Sequence, residues 1–177
     1  DDAVDFDPIT KAEQDGAMKE LHETRKLAHS NIVTVYDVIF DPLFGNLVLV
    51  TELPFNSLFY IIHFYYPLPK SQNLTSTLKL QFIKDIVSAV VYLHDKDIVH
   101  QDINASNILL FQEGDNIVAK LGGFGMTRYL DHLAIDKLEN ESSNKYAAKL
   151  SMEYLAPELL EFDGSGNNGP VFTKESD

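Results

Sequence analysis

A chain of 177 residues, 45% hydrophobic and 23% charged, carries enough apolar material for one domain or two small lobes around a real core, and its composition is not that of a disordered chain. Its net charge of -13, from 27 acidic against 14 basic residues, sets the overall field against phosphate backbones and anionic lipid, so nucleic acid is not expected as a partner. There is no cysteine, hence no disulfide framework, zinc ribbon or thiol nucleophile.

The elements can be taken in chain order. DDAVDFDP has neither the basic start nor the apolar stretch of a signal peptide, and no run reaches the length of a membrane span, so a cytoplasmic setting is the default expectation. The absence of an initiator Met suggests a fragment. Gly16 to Ala28 has few helix breakers and places Met18, Leu21 and Leu27 near one side of a predicted helix. Two β-rich runs, Asn31 to Phe40 and Asn46 to Leu53, flank the turn-forming DPLFG and predict an antiparallel hairpin. Ser57 to Tyr66 reads as a short aromatic helix ended by Pro67.

The strongest helical pattern runs from Leu78 to His94, where Leu78, Phe82, Ile86, Val90 and Leu93 recur at helical spacing behind a Thr75 or Ser76 cap. Asn107 to Phe111 and Asn116 to Leu121 are predicted strands around EGDN. Thr127 to Leu150 has no clear period and reads as a long loop, and Gly164 to Pro170 as a short flexible one. The aromatic run Phe59 to Tyr66 and the apolar Leu159 to Phe162 are read chiefly as core, with partner surface as the alternative.

Candidate chemistry concentrates in VHQDINASN. Asp102 and Asn107 stand five apart in a polar loop just before an apolar strand that would fix their position. A carboxylate there can accept a proton from a hydroxyl, and an amide oxygen can ligate a hard cation such as Mg²⁺. Asp and Asn are also ordinary turn formers, so a capped turn is the competing explanation of this pair.

The order of motifs shifts that balance. His100, Gln101, Asp102 and Asn107 resemble the protein kinase catalytic loop, H-R-D-x-x-x-x-N. Gly123, Phe124 and Gly125 resemble D-F-G, and Ala156, Pro157 and Glu158 match A-P-E. AHSNIV is similar to the segment after the kinase C helix, making Glu20 the counterpart of the helix glutamate. Leu49 to Leu53 resembles a hinge with Thr51 as gatekeeper, and TKESD resembles the start of the F helix.

The resemblance implies an α+β, two-lobed kinase-like fold, truncated at both ends, with residues 1–53 as a partial small lobe and 54–177 as a partial large lobe. It implies adenine contacts at Thr51, Glu52 and Leu53, with Leu109 as the pocket floor, and a role for His100, Phe124 and Val35 in the apolar column joining the lobes, Thr24 standing where that column usually has an apolar residue. The residues of HQDINASNILL are closest to tyrosine kinase-like sequences, Ile103 to Ser106 lacking the lysine common in serine/threonine kinases.

The departures point away from catalysis. Gly123 stands where the family has the Mg²⁺-binding aspartate, leaving Asn107 as a lone, weak remnant metal ligand. Counting back from Glu20 puts Asp5 where the family has the phosphate-binding lysine, although Lys11 is nearby. Gln101 replaces the arginine that receives an activation-loop phosphate, while Ser142, Ser143 and Tyr146 remain modifiable hydroxyls. The expectation is a pseudokinase that binds ATP weakly, holds Mg²⁺ poorly and acts through protein partners; the alternative is a weak kinase using Asp102 as base.

Overall fold

The computed structural model describes residues 18, 21–41, 46–69, 73–123, 154–160 and 172–177. Strands β1 (Val35–Asp41) and β2 (Asn46–Thr51) form an antiparallel hairpin, in continuous register from Asp37 opposite Val50 to Asp41 opposite Asn46, with a shift between Asp37 and Val35, which faces Thr51. Residues 42–45 of the expected turn lie outside the described residues. The first strand opens at Val35 rather than Asn31, because the preceding residues pair elsewhere. Leu121 N–H donates to Asn31 O at 2.8 Å and Val33 N–H to Leu121 O at 2.9 Å. Extended propensity was legible in this run, but the identity of its partner was not.

Strand β3 (Asn56–Ser57) leads directly into helix α1 (Leu58–His63). That helix stops short of the expected Tyr66. Phe64 N–H still bonds to Tyr60 O, but Tyr65 turns to a φ of +51°, so the helix has ended before Pro67 is reached. The aromatic run is also not the core it was expected to be. Ile61 is buried, whereas Tyr60, Ile62, Phe64, Tyr65 and Tyr66 are exposed.

Helix α2 (Ser76–His94) begins as its cap predicts, with Thr75 Oγ1 accepting from Leu78 N–H at 3.2 Å. It buries Phe82, Ile86, Ala89 and Leu93 together with Asp85, while Leu78 and Val90 pack at the margin. The buried carboxylate is satisfied: Ala119 N–H donates to Asp85 Oδ2 at 3.1 Å and Gln81 Nε2 to Oδ1 at 2.8 Å. These bonds tie α2 to strand β5 (Asn116–Leu121), which pairs with β4 (Ile108–Glu113) around Gly114, whose φ is +64°. The second sheet thus has the antiparallel order β3-β4-β5, and helix α3 (Pro157–Leu160) buries Leu159.

Two apolar clusters result. The larger joins α1, α2, β4, β5 and Ile32; the smaller pairs Leu21 with Val38, with Met18, Val35 and Leu49 packed against them. The expected helix through Ala28 is shorter: residues 21–24 are helical, Lys26 N–H bonds to Glu23 O in a turn, and Leu27 joins the larger cluster instead of the smaller. Thr173–Asp177 contains no helical residue, although Thr173 and Ser176 exchange the reciprocal bonds of a helix start. The architecture is α+β, as the sequence predicts.

Candidate functional site

The loop between α2 and β4 brings Asp102 and Asn107 together. Asn107 Nδ2 donates to Asp102 Oδ2 at 2.7 Å and to its backbone carbonyl at 2.8 Å. Asn104 Nδ2 donates to Asp102 Oδ1 at 2.6 Å, while its Oδ1 accepts from Ser106 N–H at 2.8 Å and Asn107 N–H at 3.2 Å. Those two backbone donors fix which end of the Asn104 amide is oxygen. Each oxygen of Asp102 therefore receives a side-chain amide, and the loop is closed by its own residues.

His100 connects this loop to the segment after β5. Asp102 N–H donates to His100 Nδ1 at 3.2 Å, so Nδ1 is an acceptor, and Nε2 carries the proton that bonds Gly122 O at 2.8 Å. The first of these bonds needs the neutral ring. Burial holds the His100 imidazole below its usual range, outweighing the opposing pull of the Gly122 carbonyl, Asp177 and Asp102.

Gln101, next in the chain, has a φ of +74°, which costs a non-glycine residue on the order of 1–3 kcal/mol. Asp177 offsets that strain. Its carboxylate, with a side chain 0% exposed, accepts from His100 N–H at 2.9 Å and Gln101 N–H at 2.7 Å, and lies 2.9 Å from His94 Nε2. A small cavity beside it is lined by Asp102, Tyr154 and Phe172.

Gly123 faces Asn107 across this site. Its φ is +86°, and a Cβ built there would lie 2.6 Å from both Asn107 Cγ and Oδ1. The Asn107 amide thus fills the space that any side chain at 123 would enter. Mg²⁺ requires near-octahedral oxygen ligation; position 123 supplies no side-chain oxygen, and the Asn107 amide nitrogen is folded onto Asp102. Among the described residues no group of three or more acidic, His or Cys side chains could hold a metal ion.

The linker after β2 carries the other predicted contacts. Thr51 Oγ1 donates to Glu52 O at 3.1 Å, Leu53 is 91% exposed, and Leu109 lies under Gly122, where an added Cβ would meet Leu109 Cδ1 at 3.3 Å and Val33 Cγ2 at 3.2 Å. The Glu52 carboxylate turns inward: Oε1 accepts from Thr34 N–H at 2.8 Å and Oε2 from Lys120 Nζ at 2.9 Å. Lys120 also lies 3.4 Å from Glu113 and 4.8 Å above the Phe111 ring. Burial alone would raise the Glu52 carboxyl, but the Thr34 amide and Lys120 hold it below its usual range; burial likewise opposes the Lys120 ammonium, yet Glu52 and Glu113 hold it above its own.

Sequence reasoning missed Asn104, Lys120 and Asp177 as members of these networks. Asn104 carried a usable signal, two amides flanking one aspartate within a short loop. Asp177 did not, since its partners lie more than seventy residues away. Glu20, Phe124, Gly125, Asp5, Lys11, Ser142, Ser143 and Tyr146, with the loops 127–150 and 164–170, lie outside the described residues.

Comparison with known proteins agrees with the motif order. A family model described as protein kinase domain matches residues 3–177. The chain is 32% identical over 150 residues, 84% of its length, to a putative ribosomal protein S6 kinase alpha-2 of Caenorhabditis elegans, covering 18% of that protein. It is 28% identical over 145 residues, 80% of its length, to the serine/threonine-protein kinase atg1 of Dictyostelium discoideum, covering 19% of it. It is 30% identical over 143 residues, 81% of its length, to the calcium/calmodulin-dependent protein kinase cmkB of Emericella nidulans, covering 31% of it. The chain thus spans less than a third of each of these relatives.

Proposed function

The chain belongs to the protein kinase family, and from that premise we propose that it is a pseudokinase, a regulatory binding module with little or no phosphotransfer. One observation carries this reading: at the position of the family's metal-binding aspartate stands Gly123, with the Asn107 amide packed where a side chain would have to be. Phosphoryl transfer is chiefly charge stabilisation and positioning, and the metal supplies much of the charge. Losing that stabilisation costs about 4 kcal/mol of barrier, or ~10³ in rate. ATP would supply the transferable phosphoryl group when bound; this chain's own residues offer its phosphates little.

The remaining machinery is consistent with a structural role. Asp102 is engaged at both oxygens by Asn104 and Asn107, and Gln101 provides no cationic fork for a phosphorylated loop. The two lobes, divided near residue 53, then serve as a scaffold for protein partners in the cytoplasm, with the exposed aromatic run of α1 as a contact surface.

A second reading, a weak kinase with Asp102 as base, is favoured by the intact pairing of Asp102 with Asn107. Its acceptor class would be serine or threonine hydroxyls if it follows the names of its relatives, whereas the loop residues Ile103 to Ser106 favour a tyrosine kinase-like assignment. The deciding assay uses the protein with its natural flanks, Mg²⁺-ATP or Mn²⁺-ATP, and an Asp102→Ala control. No transfer above background, unchanged by the substitution, is the expected result; a signal abolished in Asp102→Ala overturns the proposal. Gly123→Asp alone is expected to restore nothing, since the new side chain must displace Asn107.

A further inference from the structure

Charged residues make up 23% of the chain, yet the run from Leu53 to Pro69 contains no Asp, Glu, Lys or Arg. The loop on which α1 leans is equally neutral: Phe59 N–H donates to Ala105 O at 2.9 Å, and no residue from Ile103 to Phe111 is charged. On this ground the aromatic rings form one cluster. Between ring centroids, Phe59 lies 4.4 Å from His63 and 6.0 Å from Phe64, and Tyr60 lies 5.2 Å from Phe64. Tyr60, Phe64 and Tyr66 are each half exposed or more. Tyr65 is 90% exposed in a left-handed conformation that no hydrogen bond or ring contact among the described residues compensates.

Four aromatic side chains at that exposure present roughly 500 Å² of mainly apolar surface, since each has about 150–250 Å² to bury. One side of a standard interface is about 800 Å², so the cluster supplies more than half of it. Its chemistry selects the occupant. An interfacial membrane helix sets lysines and arginines beside its apolar face, and an oppositely charged partner needs a charge to pair with; the run carries neither. A second copy needs neither, because rings offer faces and edges to one another and the same residues can satisfy each other across a two-fold axis. Here two chains of net charge -13 can meet without bringing carboxylates into the contact. We propose that the α1 cluster is a homodimer interface, in which two copies pack Tyr60, Phe64, Tyr65 and Tyr66 against their counterparts. The inference rests on the reading of α1 as a contact surface, and does not depend on whether phosphate is transferred.

Sedimentation of the protein with its natural flanks tests it. A dimer is expected at about 10 μM, and Tyr60→Asp with Phe64→Asp should weaken it ~10-fold or more, because the contact would then bury unpaired carboxylates. Ile39→Asp, at a comparably exposed apolar position on β1, should leave it unchanged. Added NaCl should keep or tighten the dimer, since salt screens repulsion between like-charged copies. These 177 residues hold no cysteine, so a second measurement is open once any cysteine of the flanks is changed to serine. With Tyr60→Cys, Phe64→Cys and Tyr66→Cys made one at a time, at least one should form a disulfide between copies, and Ile39→Cys should form none. This measurement holds even if the paired aspartates prevent folding. Each of four results overturns the proposal: a monomer at every concentration, a dimer indifferent to the paired aspartates, a dimer that dissociates as salt rises, or cross-linking through Ile39→Cys alone. A monomer whose α1 aromatics bind neutral vesicles or a different protein also overturns it, and in the second case the contact-surface reading stands without the dimer. The phosphotransfer assay reads the pseudokinase proposal separately.

Discussion

At His100 a single proton position holds two segments together, because Nδ1 must accept from Asp102 N–H while Nε2 donates to Gly122 O. Protonating the buried ring removes the acceptor and breaks the first of these bonds. Burial holds the folded-state pKa below the ordinary 6.5, so between the two values the unfolded chain binds a proton that the folded chain does not. His100 therefore contributes stability that is fully present above pH 6.5 and is lost as pH falls below it. Thermal melts from pH 7.5 to 5.5 are expected to show a falling Tm whose slope is reduced in His100→Gln; equal slopes would show that another group titrates. The polar pattern of the catalytic-loop segment was visible in the sequence, whereas the tautomer depends on a carbonyl 22 residues away.

Between elements, the Lys120–Glu52 pair joins β5 to the linker after β2, and Thr34 N–H completes the junction. The side chains are only 11% and 17% exposed, so their attraction is weakly screened and their desolvation is substantial. Glu52 contributes stability above its ordinary value of 4.5 that disappears as pH falls through its lowered pKa. Lys120 contributes stability below its ordinary 10.5 that disappears as pH rises through its raised pKa. Across neutral pH the pair is constant. Glu52→Ala, which leaves the ammonium buried beside only the more exposed Glu113, is expected to cost about 3 kcal/mol. Lys120→Met, which keeps an apolar side chain over Phe111, should cost clearly less, leaving Glu52 its Thr34 bond. Urea denaturation of both variants checks the order, and a larger loss for Lys120→Met would refute this account of the junction.

Across the whole molecule, α2 is apolar on two faces. Phe82, Ile86, Ala89 and Leu93 are buried, while Leu80, Ile83, Val87 and Val91 recur at helical spacing along an exposed stripe. With the exposed aromatic side chains of α1, this makes more apolar surface than a small monomer ordinarily shows. A protein of these 177 residues alone is therefore expected to self-associate or melt without a sharp transition. Ile83→Lys with Val87→Glu should reduce that association in sedimentation experiments. A cooperative melt from a monomer of unaltered sequence would contradict the prediction.

Sequence alone determined the order of the hairpin, helix α2 and the β4–β5 pair, a cap at Thr75 or Ser76, and the family, because local periodicity, turn chemistry and linear motifs are carried by neighbouring residues. It also showed glycine at position 123, where the resembling family motif carries an aspartate, a substitution visible without coordinates. Only the tertiary structure decided that Asn31–Val33 joins β5 rather than the hairpin, and that Tyr60, Phe64 and Tyr66 face outward. It also decided that Asn107 fills the space above Gly123 and that Asp177 reaches back to support Gln101. Each of these depends on which distant chain segment supplies a hydrogen-bond partner or apolar cover, and a linear pattern fixes the need for a partner without fixing the partner itself.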